Sequence, residues 1–162
     1  QPSPTVADLA AVRRRTSVPV AADESIRRAE DPYDVKRQDA ADVVVLKVQP
    51  LGGVRACLAL VAELGLPMVV SSALESSVGI AAGVALAAAL PGIELASGLA
   101  TVTMFEQDVT ATPLVPEAGS LPGGRVAPTA LTHAPDAVVA RWLERLHRVA
   151  DVGGIDLDEV LA

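Results

Sequence analysis

Cysteine is almost absent: the 162-residue chain has a single one, Cys57. No internal disulfide can form, and the fold has to be held by its core. Cys57 lies within an apolar helical pattern and reads as a small buried side chain in a protein of the reducing cytoplasm. Basic charge is also scarce, with 13 Lys and Arg against 20 Asp and Glu for a net charge of -7. That balance excludes a nucleic-acid face, which must replace counterions with basic groups, and it disfavours an anionic membrane surface. Long apolar runs suited to a bilayer are missing too. The longest uncharged stretch, between Glu75 and Glu94, is mostly Ala and Gly and is broken by Pro91-Gly92, so it reads as a packed helix. No basic stretch precedes an apolar one in these residues, so no secretory signal is seen in them. The chain opens on Gln1, not Met, so the expectation is a processed chain or a piece of a longer polypeptide. Histidine is limited to His133 and His147, neither beside an apolar strand, and no chemistry is assigned to them.

What is present is a 51% apolar, 20% charged chain, large enough for one ordinary domain with a real core. Strand and helix patterns alternate over the first hundred residues. Thr5 to Arg15 reads as a helix and Val18 to Ala22 as the strand after it. Asp31-Pro32 reads as a cap and first-turn proline opening a polar helix toward Ala40, with the β-branched strand Val43 to Lys47 after it. That continuous apolar run suits a parallel strand covered on both faces. Gly52 to Leu64 reads as an amphipathic helix stopped by Gly65, Pro67 to Ser71 as a strand, Ser76 to Leu90 as an Ala-rich helix, and Ile93 to Ser97 as a last strand. Crossovers of this length make parallel βα units. Four of them are half of an eight-stranded barrel, whose open edges ask for the missing N-terminal half. Residues 1–110 are therefore expected to be the C-terminal half of a (β/α) barrel, an α/β fold of TIM-barrel type. Residues 111–162 are expected to form a Pro/Gly-rich connection and a C-terminal helix. In that helix, about Pro135 to Val149, the stripe Val138, Trp142, Leu146 and Val149 reads as packing, and the acidic end from Asp151 to Glu159 as a surface tail or short docking turn.

Two of these strands finish on charged residues. Val-Pro-Val-Ala-Ala leads into Asp23-Glu24-Ser25, and Val43 to Leu46 leads into Lys47-Val48-Gln49-Pro50-Leu51-Gly52-Gly53. A carboxylate and an amine at the mouths of successive buried strands are how barrel enzymes build active sites. A carboxylate held at a strand end suits a hard divalent cation, and the alternative at this position is that Asp23 caps the next turn. Lys47, one of two lysines in the chain, closes a desolvating run and could face a substrate or snorkel into a salt bridge. Ser71, Ser72, Ser76 and Ser77 cluster where a strand gives way to a helix. Hydroxyls and free N–H groups there could take a carboxylate or cap the helix, and capping suits Ser76 and Ser77 better.

The three segments Val20 to Ser25, Leu46 to Gly53 and Ser71-Ser72-Ala73-Leu74-Glu75-Ser76-Ser77-Val78-Gly79 together resemble strands five, six and seven of the enolase superfamily, muconate-lactonizing subgroup. Within it they are most similar to the o-succinylbenzoate synthases of menaquinone biosynthesis. The resemblance implies a Mg²⁺-dependent β-elimination of water from a small-molecule cyclohexadiene carboxylate in the cytoplasm. It implies Asp23 as a metal ligand with Glu24 behind it, and Lys47 as a catalytic residue. A lysine of the second strand would do the acid and base work, while Lys47 would hold charge on the other face of the substrate. Ser71, Ser72, Glu75, Ser97 and Gly98 would line the substrate. Absence of Asp-x-Asp at the last strand separates the chain from dipeptide epimerases, and absence of a histidine by the seventh strand separates it from mandelate racemases. N-acylamino acid racemase, muconate cycloisomerase and a non-catalytic half-barrel stay open as alternatives. The second-strand lysines and two further metal carboxylates have no counterpart here, and Gln1-Pro2 resembles the residues just after the fourth-strand carboxylate of that family. The expectation is therefore that this chain by itself binds Mg²⁺ weakly and is inactive.

Overall fold

The computed structural model describes residues 3–27, 31–93 and 95–161, so Gln1, Pro2 and the Glu94 position of the expected last strand lie outside the described residues. In chain order the elements are α1 (Val6–Arg13), β1 (Ala21–Ala22), a 3₁₀ turn (Glu24–Ile26), α2 (Asp31–Arg37), β2 (Val43–Leu46), α3 (Val54–Leu64), β3 (Met68–Val70), α4 (Ser77–Ala89), a second 3₁₀ turn (Thr101–Met104), α5 (Asp136–Gly153) and α6 (Leu157–Leu161). By contacts they divide into two compact units, residues 1–130 and 131–162.

In the first unit β1, β2 and β3 form a parallel sheet in sequence order, registered Ala21 with Val43 and Val44 with Met68. Each crossover is a helix, as parallel pairing requires. α1 starts at Thr5, whose Oγ1 accepts the Asp8 N–H at 3.1 Å, and α3 stops at Gly65, whose φ of +63° is open to glycine at little cost. Period-two alternation puts Ala22, Val44, Leu46 and Val70 on the face against the helices, where all are fully buried with Leu9, Val35, Leu64, Ile80 and Leu86. Burying each leucine or isoleucine contributes about 1.5–3 kcal/mol. Val43, Val45 and Val69 on the opposite face are only half-buried, so β2 is not covered equally on both sides as its apolar run suggested. A three-stranded sheet with its helices on one side has no second layer for the other.

One expected strand is shortened and another does not form among the described residues. β1 keeps only Ala21–Ala22, because Pro19 has no N–H to give and the Val20 N–H is taken at 2.8 Å by the Asp42 carboxylate. Ile93 to Ser97 does not form a strand among the described residues. Pairing there reduces to one parallel bridge, Ser71 with Gly98, through Gly98 N–H to Val70 C=O at 2.8 Å and Ser72 N–H to Gly98 C=O at 2.9 Å. An edge with a neighbour on one side only and an exposed Leu95 has little to hold it extended.

Arg13, at the end of α1, lies 2.9 Å from Asp42 and 2.6 Å from Asp39. Hydrogen bonds from Arg13 and from the Val20 N–H hold the Asp42 carboxyl below the usual carboxylate range. Cys57 is buried in α3, and burial pushes its thiol up, as expected of an inert packing residue. The Pro/Gly-rich segment up to residue 130 belongs to the first unit, and Thr129 N–H bonds Val109 C=O at 2.9 Å.

In the second unit the acidic end is mostly exposed and includes a short helix. Asp156 Oδ1 accepts the N–H groups of Asp158 and Glu159 at 2.9 and 3.3 Å and opens α6. The α5 stripe expected to be packing is largely exposed, with Trp142 56% accessible and Leu146 and Val149 exposed beside it. α6 has five residues, too few to cover an 18-residue helix, and Ala150 is the one buried residue of α5.

Candidate active site at the strand ends

Asp23 directly follows β1 and Lys47 directly follows β2, so both leave the sheet at its C-terminal end. Parallel register and the period of two place them on the same face as Val43, Val45 and Val69, away from the helices. Lys47 Nζ lies 2.7 Å from Asp23 Oδ1 and 3.0 Å from Oδ2, and only the second contact has the angles of a hydrogen bond. The side chains are 16% and 27% exposed, so this ion pair is partly withdrawn from water, where charges act more strongly on a neighbour. The arrangement seen is the salt bridge that was one of the two readings of Lys47, with Asp23 as its partner.

Ser71 stands next on this face: its N–H donates to Leu46 C=O at 2.9 Å, one step beyond the pairing of Leu46 with Val70. Asp23, Lys47 and Ser71 therefore line the ends of three adjacent strands. Glu24 is exposed, with Arg27 3.4 Å from its Oε1. Ser72 turns to the helix side and is 6% exposed. Its hydroxyl donates to Gly98 C=O at 3.1 Å and accepts from Thr101 Oγ1 at 2.8 Å. Glu75 is half-buried near Gln49 and Gly79, and its Oε1 is buried without a hydrogen bond. Ser97 and Gly98 line a mainly apolar cavity of about 300 Å³ with Val84, Leu99 and Leu121. The structure brings Asp23, Lys47 and Ser71 together on one face, while Ser97 opens on that cavity.

The N-terminus of α4 is not free for an external anion. Asp108 Oδ1 and Oδ2 accept the Ser77 N–H at 3.1 and 3.4 Å, and Oδ1 also accepts the Val109 N–H at 2.8 Å. Burial pushes the Asp108 carboxyl up, but bonds from the Ser77 side chain and from both N–H groups outweigh it and hold the carboxyl low. Ser76 occupies the cap position with no side-chain cap bond, and Ser77 Oγ accepts the Leu114 N–H at 2.7 Å. Neither serine caps α4, contrary to expectation, because a carboxylate 31 residues downstream does. Asp108 and Thr101 are absent from the residues singled out in the sequence, which offers no local signal for either.

As a metal centre the described residues supply one element. Asp23 Oδ1 is a buried oxygen without a hydrogen bond, already 2.7 Å from a cationic group. Such an oxygen fits a hard divalent cation as one ligand. Among the described residues no three His, Cys, Asp or Glu side chains form a metal-holding cluster. Likewise no described helix is long and apolar enough to cross a membrane.

Residues 1–129 match the family model described as Enolase C-terminal domain-like. The chain belongs to that family. An o-succinylbenzoate synthase of Thermobifida fusca (strain YX) is 67% identical over 126 residues, 78% of this chain and 40% of that protein. Another, of Mycobacterium ulcerans (strain Agy99), is 53% identical over 151 residues, 90% of this chain and 46% of that protein. The crystal structure of muconate lactonizing enzyme from Pseudomonas fluorescens complexed with muconolactone matches with a TM-score of 0.68 at 25% identity, covering 83% of this chain and 37% of that one. This enolase C-terminal domain-like chain thus spans less than half the length of the curated relatives it matches. Its parallel βα units are the C-terminal half of the family's barrel, in agreement with the expected fold class.

Proposed function

We propose that this chain is the C-terminal part of an o-succinylbenzoate synthase, which dehydrates a cyclohexadiene carboxylate in the cytoplasm with Mg²⁺ as cofactor. The observation that carries the reading is the Asp23–Lys47 pair, 2.7 Å apart at adjacent strand ends on the face that also holds Ser71. Its similarity to o-succinylbenzoate synthases supports the choice of reaction.

In this reading Asp23 contributes one carboxylate to Mg²⁺, with Glu24 behind it. When bound, Mg²⁺ supplies positive charge against the substrate carboxylate. Lys47 keeps its proton at Nζ, oriented by Asp23, and offers a second positive charge where the substrate becomes electron-rich. Ser71, with Glu75, Ser97 and Gly98, lines the substrate, and Ser72 acts through the backbone it fixes. Removal of the proton alpha to the carboxylate falls to a group outside the described residues, and hydroxide leaves from the adjacent carbon. The remaining barrel half is the partner this mechanism requires.

The test is dehydration of the cyclohexadiene precursor by the full polypeptide, with and without Mg²⁺. Lys47→Ala is expected to lower kcat by about 10² or more, as removal of a preorganised charge-stabilising donor does. An unchanged rate would take Lys47 out of the site.

A further inference from the structure

Thr101 lies in the 3₁₀ turn Thr101–Met104, beyond the strand ends. Its hydroxyl accepts the Glu75 N–H at 3.2 Å and donates to Ser72 Oγ at 2.8 Å, and Ser72 Oγ donates to Gly98 C=O at 3.1 Å. The direction of this relay is forced. An amide N–H at one end can only donate and a carbonyl at the other can only accept, so each hydroxyl between them has a single place for its proton.

Two features mark the segment that the relay holds. Leu74, immediately before Glu75, has a φ of +80°, a region costly for a side chain with a Cβ and kept only where surroundings enforce it. Glu75 Oε1 is buried with no hydrogen-bond partner, an acceptor left open at some cost. Gly79 adds a lateral limit, since a methyl group there would come within 2.6 Å of Glu75 Cβ. The Glu75 backbone is thus tied by a hydroxyl, and α4 carries a glycine where the Glu75 side chain passes it.

We infer that Thr101 is a positioning residue for the reaction. Through Ser72 and the Glu75 N–H it fixes the backbone that follows Ser71, including the strained Leu74, and so holds Ser71 on the face it shares with Asp23 and Lys47. This inference rests on the proposed dehydratase reading.

The experiment compares Thr101→Val, which keeps the shape and removes the hydroxyl, with Thr101→Ser, which keeps the hydroxyl, both in the full polypeptide. Thr101→Val is expected to lose about 10-fold in kcat, the scale of one hydrogen bond, with KM within about twofold. Thr101→Ser should stay within about threefold of the parent, and exchange of the Glu75 amide with deuterium should quicken in the Val variant alone. A purely structural role would lower the melting temperature and leave kcat per folded molecule unchanged. Unchanged kcat in Thr101→Val, or equal losses in Val and Ser, overturns the inference. Should Thr101→Val fail to fold, Ser72→Ala interrupts the relay one link further on and must show the same kcat loss and the same amide exchange; parent behaviour overturns the inference there too. Lys47→Ala separates the two proposals. Full activity in that variant overturns the dehydratase reading, whereas loss of activity beside an unaffected Thr101→Val overturns the positioning role alone.

Discussion

At the scale of single residues, the two glycines Gly79 and Gly83 of α4 have close neighbours of different kinds. A methyl group on Gly79 would lie 2.6 Å from Glu75 Cβ and 2.8 Å from Cγ, close to the backbone of a pinned segment. On Gly83 the nearest atom, also 2.6 Å away, is Leu99 Cδ2, the far end of a side chain that can rotate. Alanine gains about 1 kcal/mol over glycine in a helix interior, which offsets a soft collision but not a hard one. Gly83→Ala is therefore expected within about 1 kcal/mol of the parent in urea unfolding, and Gly79→Ala about 1–3 kcal/mol less stable. Equal stabilities would show that Glu75 moves freely. The same scale shows what a sequence can and cannot reveal. Lys47 and Asp23 were legible because each ends an apolar run, and parallel register brings neighbouring strand ends together whatever else the chain does. Thr101 was not, because its worth lies in two hydroxyl contacts to residues 26 and 29 positions away, and threonines in loops carry no mark of such contacts.

Among elements, α4 depends on a cap that the chain delivers from afar. Replacing Asp108 by Ala removes the acceptor for the Ser77 N–H and is expected to cost about 0.5–2 kcal/mol at neutral pH. Because the Asp108 carboxyl is held below its usual value of 3.8, the folded protein binds that proton less readily than the unfolded chain. Its contribution is thus fully present above that value and is lost as pH falls through the lower folded one. Urea titrations should show the gap between parent and Asp108→Ala narrowing between about pH 5 and pH 2. A gap that widens in acid would contradict the cap. Helices and strands bounded by local signals, such as α3 with Gly65 and β2 with its valines, were legible to within a residue or two. β1 was shorter than its apolar pattern and the expected last strand did not form among the described residues, since Pro19 and a one-sided edge remove ladder bonds that hydrophobicity does not report. The α5 stripe was legible as amphipathic, but periodicity states only that a face is apolar, not what lies against it.

For the whole molecule, the sheet ends on Ala21–Ala22 at one side and on a single bridge at Gly98 on the other. Unpaired parallel edges recruit other strands. The 16.6 kDa chain by itself is expected to self-associate in size-exclusion chromatography and to bind Mg²⁺ no tighter than about 1 mM, since Asp23 is the one site carboxylate proposed as a ligand. A monodisperse monomer, or calorimetric binding in the micromolar range, would count against a barrel half that needs its complement. Any such measurement has to choose its probe with care, because of Trp142. It is the only tryptophan in the chain and sits in the unit 131–162, with the Arg145 guanidinium 5.5 Å from its ring centre. Tryptophan emission will therefore report the surroundings of α5, and unfolding at the strand ends calls for a probe of its own, amide exchange at residues 43–46 and 68–71.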